Sequence, residues 1–292
     1  MTITLLDGGM GQELVARAPE APTRLWATQV MIDHPEILRA IHNDYFAAGA
    51  QIATTNTYAV LHDRLVPVGI DDQFETFHRL ACEMAVTARD AHGSGRVAGA
   101  LGPLGASYAP ELAPEPTVAA DLYAEIVDLH APYVDLHLAE TMCSVDQARG
   151  VLMATTHSDK PMWLAISVED NDGTKLRSGE PVQSILPLLG DYRVDALLVN
   201  CSSPEAVTQA LPLLAGAQVP LGGYANGFTA IEDEFKQAGK TVDLLSARTD
   251  LGPAAYADHA RQWIDLGATI IGGCCEVGPA HISELSRMLS EA

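Results

Sequence analysis

Eight short apolar runs recur along the chain, and each turns polar or glycine-rich where it ends. Leu5-Leu6 runs into Asp7-Gly8, Ala50 to Thr55 into Asn56, Arg96 to Leu101 into Gly102-Pro103, and Tyr133 to Ala139 into Glu140-Thr141. Met162 to Val168 then meets Glu169-Asp170, Val194 to Val199 meets Asn200-Cys201, Val219 to Tyr224 meets Ala225-Asn226, and Ala268 to Ile271 meets Gly272-Gly273-Cys274-Cys275. Helical stretches separate the runs: Phe74 to His92, Val118 to Leu129, Ser144 to Ala154, Pro181 to Leu189 and Pro204 to Leu214. Two joints have the same form. His34-Pro35 opens a helix with Ile37, Ile41, Tyr45 and Ala48 at helical spacing, and Gly49-Ala50 hands it to a strand; Gly252-Pro253 opens another that Gly267-Ala268 hands on in the same way. A helix feeding a strand through one glycine is a β/α unit of a parallel sheet.

Eight such units in 292 residues predict a single α/β domain, a closed (β/α)8 TIM barrel over residues 1–292. Closure brings all the polar strand ends to one face, where barrels build their sites, and no Gly-x-Gly-x-x-Gly follows the first strand as a dinucleotide fold requires. Two loops are long: Ala106 to Thr117, and the charged stretch from Gly227 to Leu251. No apolar run approaches the roughly 18 residues of a membrane span. The opening residues lack the basic and apolar regions of an export signal, so a cytoplasmic protein is expected. The net charge of −21 repels nucleic acid and anionic membranes and draws cations.

Five cysteines without an export signal argue against a disulfide framework and for metal or catalytic roles. Cys201, Cys274 and Cys275 stand at strand ends that a barrel brings together. Three readings remain open on spacing alone: a three-thiolate zinc site with one open position, small buried side chains, or a vicinal disulfide at 274–275. Adjacent strand residues face opposite ways, so a shared ion requires the chain to leave strand geometry before Cys274, as Gly272-Gly273 permits. Cys82 reads as helix core, and Cys143 as buried near the polar face. Zinc on three thiolates is a weak activator of water and a good holder of a fourth, substrate thiolate. The matching chemistry is alkyl transfer to sulfur from a cationic donor. Tyr58, Tyr108, Tyr224 and Trp26 are rings able to flank that cation. An amino-acid thiol needs an acid for its ammonium, suiting Asp7 or Glu140, and backbone N–H groups for its carboxylate, suiting Gly8, Gly9 and Met10.

These residues resemble the homocysteine S-methyltransferase family along nearly the whole chain. The resemblance rests on Leu6-Asp-Gly-Gly-Met-Gly-Gln-Glu-Leu14, Ala47-Ala-Gly-Ala50 leading to Thr54-Thr-Asn-Thr-Tyr58, and Gly102-Pro-Leu-Gly105. It rests further on Glu140-Thr141, Val199-Asn-Cys201, and Gly272-Gly-Cys-Cys275 followed by Pro279-Ala-His-Ile282. It implies a Zn2+ cofactor held by Cys201, Cys274 and Cys275, with homocysteine as acceptor, its zinc-bound thiolate as nucleophile, and methionine as product. It places Asp7, Gly8 and Glu140 at the amino-acid end of homocysteine, with Asn56 and Asn200 supporting. Two stretches depart from the pattern. Many members that use S-methylmethionine read Arg-Thr-x-Pro where this chain has Glu276-Val277-Gly278-Pro279, and Pro-Asn-Ser where it has Tyr224-Ala-Asn-Gly-Phe228. The chain is too short for the cobalamin and folate modules of large methionine synthases and lacks the C-terminal arm of many betaine-dependent members. An S-methylmethionine-like sulfonium donor is therefore favoured over a betaine. The alternatives are a barrel that binds thiol or metal without turnover and a metal-dependent hydrolase, the latter opposed by the missing His/Asp ligand set.

Overall fold

The computed structural model of the protein describes residues 2–21, 23–231 and 245–291. Its strands are β1 (Thr4–Leu5), β2 (Ile52–Thr54), β3 (Arg96–Leu101), β4 (Leu136–Met142), β5 (Met162–Ile166), β6 (Val168–Glu169), β7 (Asp172–Leu176), β8 (Ala196–Asn200), β9 (Leu221–Tyr224) and β10 (Ala268–Ile271). Eight form one parallel sheet in the order β1-β10-β9-β8-β5-β4-β3-β2. The two ends meet: Leu6 bridges Ile52 in parallel, and the Gln51 N–H donates to the Leu5 carbonyl at 2.8 Å. The sheet is therefore the expected (β/α)8 barrel.

Side chains sort by the two-residue period of a strand. On β5, Trp163 and Ala165 join Leu6, Ala98, Leu138, Leu198 and Ile270 in the cluster that fills the barrel. Met162, Leu164 and Ile166 face the larger cluster shared with the helices. Helices Pro35–Ala47 and Pro253–Asp265 begin on proline as expected. The joints after them hold Gly49 at φ 106° and Gly267 at φ 99°, left-handed values that strongly favour glycine.

Three parts differ from the sequence expectation. Glu169-Asp170 is not the rim of the fifth barrel strand: β5 stops at Ile166, and β6 and β7 form an antiparallel hairpin beyond it. The apolar run continues into Val168, which hides the break. Pro181 to Leu189 is a 3-10 turn, Val182–Ile185, and a short helix, Leu188–Asp191, because Pro187 cannot donate within a continuous helix. Helices Met10–Arg17 and Ala27–Asp33 were not anticipated. Of the long Gly227–Leu251 loop, residues 232–244 lie outside the described residues. Among the described residues, no helix is long and apolar enough to cross a membrane.

The barrel wall buries four histidines completely: His42, His78, His130 and His137. His78 Nε2 lies 3.0 Å from the Val60 carbonyl, and its Nδ1 lies 3.0 Å from His130 Nε2. With neutral rings the carbonyl must accept from Nε2, so His78 Nδ1 accepts and His130 Nε2 donates. Burial lowers all four pKa values, to about 3 for His42, to about 4 for His78 and His137, and well below the ordinary value for His130. The unfolded chain takes up these protons below pH ~6.5 and the folded chain does not. Their contribution to stability is thus complete above that pH and is lost as pH falls toward 4. We expect denaturant-measured stability to drop between pH 6.5 and 4, by ~1.4 kcal/mol per pH unit for each group. His42→Leu should flatten the slope, and an unchanged slope would contradict this account.

Candidate active site

Backbone bonding at the C-terminal rim decides where the cysteines point. Cys201 follows β8 directly at φ 47°, with its N–H on the Tyr224 carbonyl at 3.2 Å. After β10, the Tyr256 hydroxyl donates to the Gly272 carbonyl at 2.8 Å and accepts from the Ala225 N–H at 2.9 Å. Cys274 N–H donates to the Ala225 carbonyl, Gly227 N–H to that of Cys275, and Val277 N–H to that of Cys274. The chain has left strand geometry before the pair, so both thiols reach the Cys201 side. All three sulfurs lie within 4.8 Å of one another, a set able to hold a metal ion.

The structure corrects the expectation against disulfide bonding at one place: Cys201 and Cys274 are joined, and the vicinal pair is not. Sulfurs gathered closely enough for one ion are also close enough to bond to each other. Cys275 keeps a free thiol, which burial pushes up to about 12. Cys82 and Cys143 are free and fully buried. Cys143 packs beside the three site cysteines with Tyr108 and Phe228.

A cavity of about 240 Å³ opens beside the sulfurs, lined by Asp7, Gly8, Asn56 and Glu140 and by all four expected rings, Trp26, Tyr58, Tyr108 and Tyr224. Asp7 accepts from the Thr54 N–H at 2.6 Å and the Thr54 hydroxyl at 2.7 Å. Burial outweighs these bonds and raises its pKa to about 6. Glu140 accepts from the Tyr224 hydroxyl at 3.0 Å, and burial, with Asp7 adding repulsion, raises it to about 8. Asn200 is held away from the cavity's ligand space: its Oδ1 accepts from the Thr141 N–H and its Nδ2 donates to the Thr141 hydroxyl. It thereby fixes the residue after Glu140, which stands at φ 61°. Asn56 donates to the Ala27 carbonyl at 3.3 Å. Gly9 is not available as an N–H donor, because it donates to the Val277 carbonyl at 2.9 Å. Met10 instead begins a helix whose first residues, Met10, Gly11 and Gln12, line the cavity, and the unpaired N–H groups of a helix start suit a carboxylate.

Among the described residues, five non-glycine positions adopt positive φ: Trp26, Tyr108, Thr141, Cys201 and Glu276. The first four line the cavity, and the fifth follows Cys275. Strain of this kind collects at functional sites. Sequence reasoning missed Tyr256 and the Arg177 guanidinium that bonds the Cys201 carbonyl. Spacing carries no sign of either; only the hairpin's existence would have exposed Arg177.

An acid whose folded pKa is raised subtracts stability as pH climbs from its unfolded value, ~4.5 for Glu140, to its folded one near 8. Glu140→Gln keeps the acceptor for Tyr224 and removes the buried charge. We expect its melting temperature to exceed that of the unaltered chain by about 2–6 °C at pH 8.5, and to match it at pH 4. Equal melting at both pH values would show that Glu140 is not held in an unfavourable charged state.

The family model for homocysteine S-methyltransferase matches residues 4–289. A homocysteine S-methyltransferase of Escherichia coli (strain K12) is 31% identical over 308 aligned positions, covering 97% of this chain and 94% of that protein. A selenocysteine methyltransferase of Astragalus bisulcatus is 24% identical, with 98% and 92% covered. The metallated form of the homocysteine methyltransferase MmuM from Escherichia coli superposes with a TM-score of 0.82 at 28% identity, covering 99% of this chain and 96% of that one. Its oxidized form gives 0.81 at 29% identity, with 98% and 96% covered.

Proposed function

The chain belongs to the homocysteine S-methyltransferase family, and from that premise we propose that it moves a methyl group from a sulfonium donor of the S-methylmethionine type to homocysteine, giving methionine. Methyl transfer to homocysteine is the family's activity; donor, metal and residue roles are our reading. In it, residues 1–292 are one homocysteine-binding domain in the cytoplasm, and Cys201, Cys274 and Cys275 hold Zn2+. One observation carries the proposal: three sulfurs converge within 4.8 Å beside a cavity floored by two raised carboxyls.

The donor set fits the ion. Thiolates select zinc among the common hard and borderline divalent ions, and three protein ligands leave a position for substrate. Reduction of the Cys201–Cys274 bond frees all three. Bound there, zinc would supply charge that keeps an incoming thiol ionised at neutral pH.

The protein's own groups do the rest. Glu140 and Asp7 hold the homocysteine ammonium, whose positive charge repays the cost of ionising them. The N–H groups that open helix Met10–Arg17 hold its carboxylate. Trp26, Tyr58, Tyr108 and Tyr224 flank the donor cation with ring faces. The homocysteine sulfur attacks the methyl carbon in line; the new S–C bond forms as the sulfonium C–S bond breaks, and the donor leaves as a neutral thioether. No proton moves in this step, so no general acid is required of the chain.

The test is to incubate reduced, zinc-loaded protein with homocysteine and a panel of sulfonium and betaine donors, and to quantify methionine. We expect sulfonium donors to lead. Cys274→Ser should lower the rate about 100-fold or more while leaving the barrel folded. Undiminished activity in that variant would remove the metal centre from the reaction, and transfer from betaine alone would reverse the donor assignment. Homocysteine bound without turnover from any donor would favour a thiol-binding role.

A further inference from the structure

Cys201 is the one candidate metal ligand that stands alone on its strand, and its backbone conformation is unfavourable for any residue with a side chain. What holds it there lies outside the barrel. The β6–β7 hairpin delivers Arg177, whose side chain is 3% exposed, to the far side of residue 201. Arg177 Nη2 donates to the Cys201 carbonyl at 3.0 Å and to Asp170 Oδ1 at 3.0 Å, and Nη1 to Asp170 Oδ2 at 3.3 Å. Its Nε donates to the Ser167 hydroxyl at 2.8 Å, and that hydroxyl donates to the same Cys201 carbonyl at 3.2 Å. Asp170 Oδ1 also accepts from the Ser203 N–H, and Ser202 Oγ accepts from the Val168 N–H. One face of the guanidinium is closed by the Tyr108 ring, 4.5 Å from its centroid.

We propose that Arg177, with Ser167, is a positioning residue for Cys201: it fixes the carbonyl of that residue and thereby aims its sulfur at Cys274 and Cys275. The argument is geometric. The Cys201 N–H is pinned to β9 through the Tyr224 carbonyl, and its C=O is pinned to the hairpin. Fixing the peptide planes on both sides of one α-carbon fixes φ and ψ, and with them the direction of the Cα–Cβ bond. Release of the C=O lets the residue relax to a right-handed or extended conformation, which swings Sγ away from the other two.

Such a device explains a costly feature. Arg177–Asp170 is the most buried ion pair among the described residues, and buried pairs contribute little stability against apolar replacements. The planar fork is also necessary: three acceptors in different directions suit a guanidinium and not an ammonium. Groups that orient metal ligands from behind typically govern affinity 10–100-fold. The proposal rests on the metal-centre reading for its function, but its geometry concerns this chain alone.

Two variants test it. Arg177→Met by itself strands the Asp170 charge, so the first is Arg177→Met with Asp170→Asn, which keeps an acceptor for Ser203. The second, Ser167→Ala, removes one donor to the carbonyl and leaves the ion pair in place. Zinc affinity of the reduced, folded proteins is measured by competition with a chromophoric chelator, alongside thermal melting. We expect a loss of 10–100-fold in the double variant and about tenfold in Ser167→Ala. Lower melting temperatures with zinc affinity within twofold of the unaltered chain would overturn the proposal and leave Arg177 a purely structural residue; if the double variant does not fold, Ser167→Ala decides. Should the unaltered chain take up no zinc, the metal reading fails separately. The positioning role is then judged by equilibrating apo-protein with oxidised and reduced glutathione, where two thiols of the chain form one disulfide as one oxidised glutathione becomes two reduced ones. A Cys201–Cys274 equilibrium constant about tenfold lower in the variants supports it, and an unchanged constant overturns it.

Discussion

The barrel closes through two residues. β1 is only Thr4–Leu5, yet it pairs with β10 on one side, and the chain just beyond it bridges Ile52 on the other. Because every barrel strand is parallel, this narrow seam sets all eight C-terminal ends on one rim. It places Asp7 against Thr54 and threads Gly8 and Gly9 through the turn that follows Cys275. A β-carbon on Gly8 would sit 2.0 Å from the Val277 carbonyl oxygen, and one on Gly9 would sit 2.6 Å from that of Cys274. Those two positions admit no side chain, and the acid floor and the sulfurs share a wall for that reason.

The site trades stability for chemistry in two currencies at once. Ionisable carboxyls are buried at Asp7 and Glu140, where desolvation of the charged form outweighs the hydrogen bonds that favour it. Backbone strain is held at Thr141, next to the last residue of β4, and at Cys201, directly after β8, each restrained by neighbouring bonds. Asn200 connects the two, since its amide fixes Thr141 while its own backbone carries the chain into Cys201. On the proposed reading, a substrate ammonium would offset the first, whereas the second is independent of charge.

Much of this was legible in the residues. Helix Phe74–His92 and strands Arg96–Leu101 and Ala268–Ile271 end where periodicity, proline and glycine end them. Cys274 and Cys275 stood out because two glycines precede them. Asn200 was read as a supporting residue of the pocket; in the fold it bonds to Thr141 and does not itself line the cavity, a placement that depends on the register of β4 against its neighbours. The hairpin was illegible because Val168 prolongs the apolar run of β5, so nothing in the sequence set Arg177 apart. Left-handed Cys201 has no signature either: the conformation is imposed by partners at positions 167, 177 and 224, and local propensity favours another.

The pairing of residue 4 with residue 270 has a consequence for synthesis. A growing chain presents Cys201 to the cell long before Cys274 exists, and the first strand waits unpaired on one side until the last has emerged. Half-built barrels of this kind expose open sheet edges, the state in which chains aggregate or recruit chaperones. The sulfur cluster is accordingly a product of chain completion, and an ion could be held by all three sulfurs only after translation has passed residue 275.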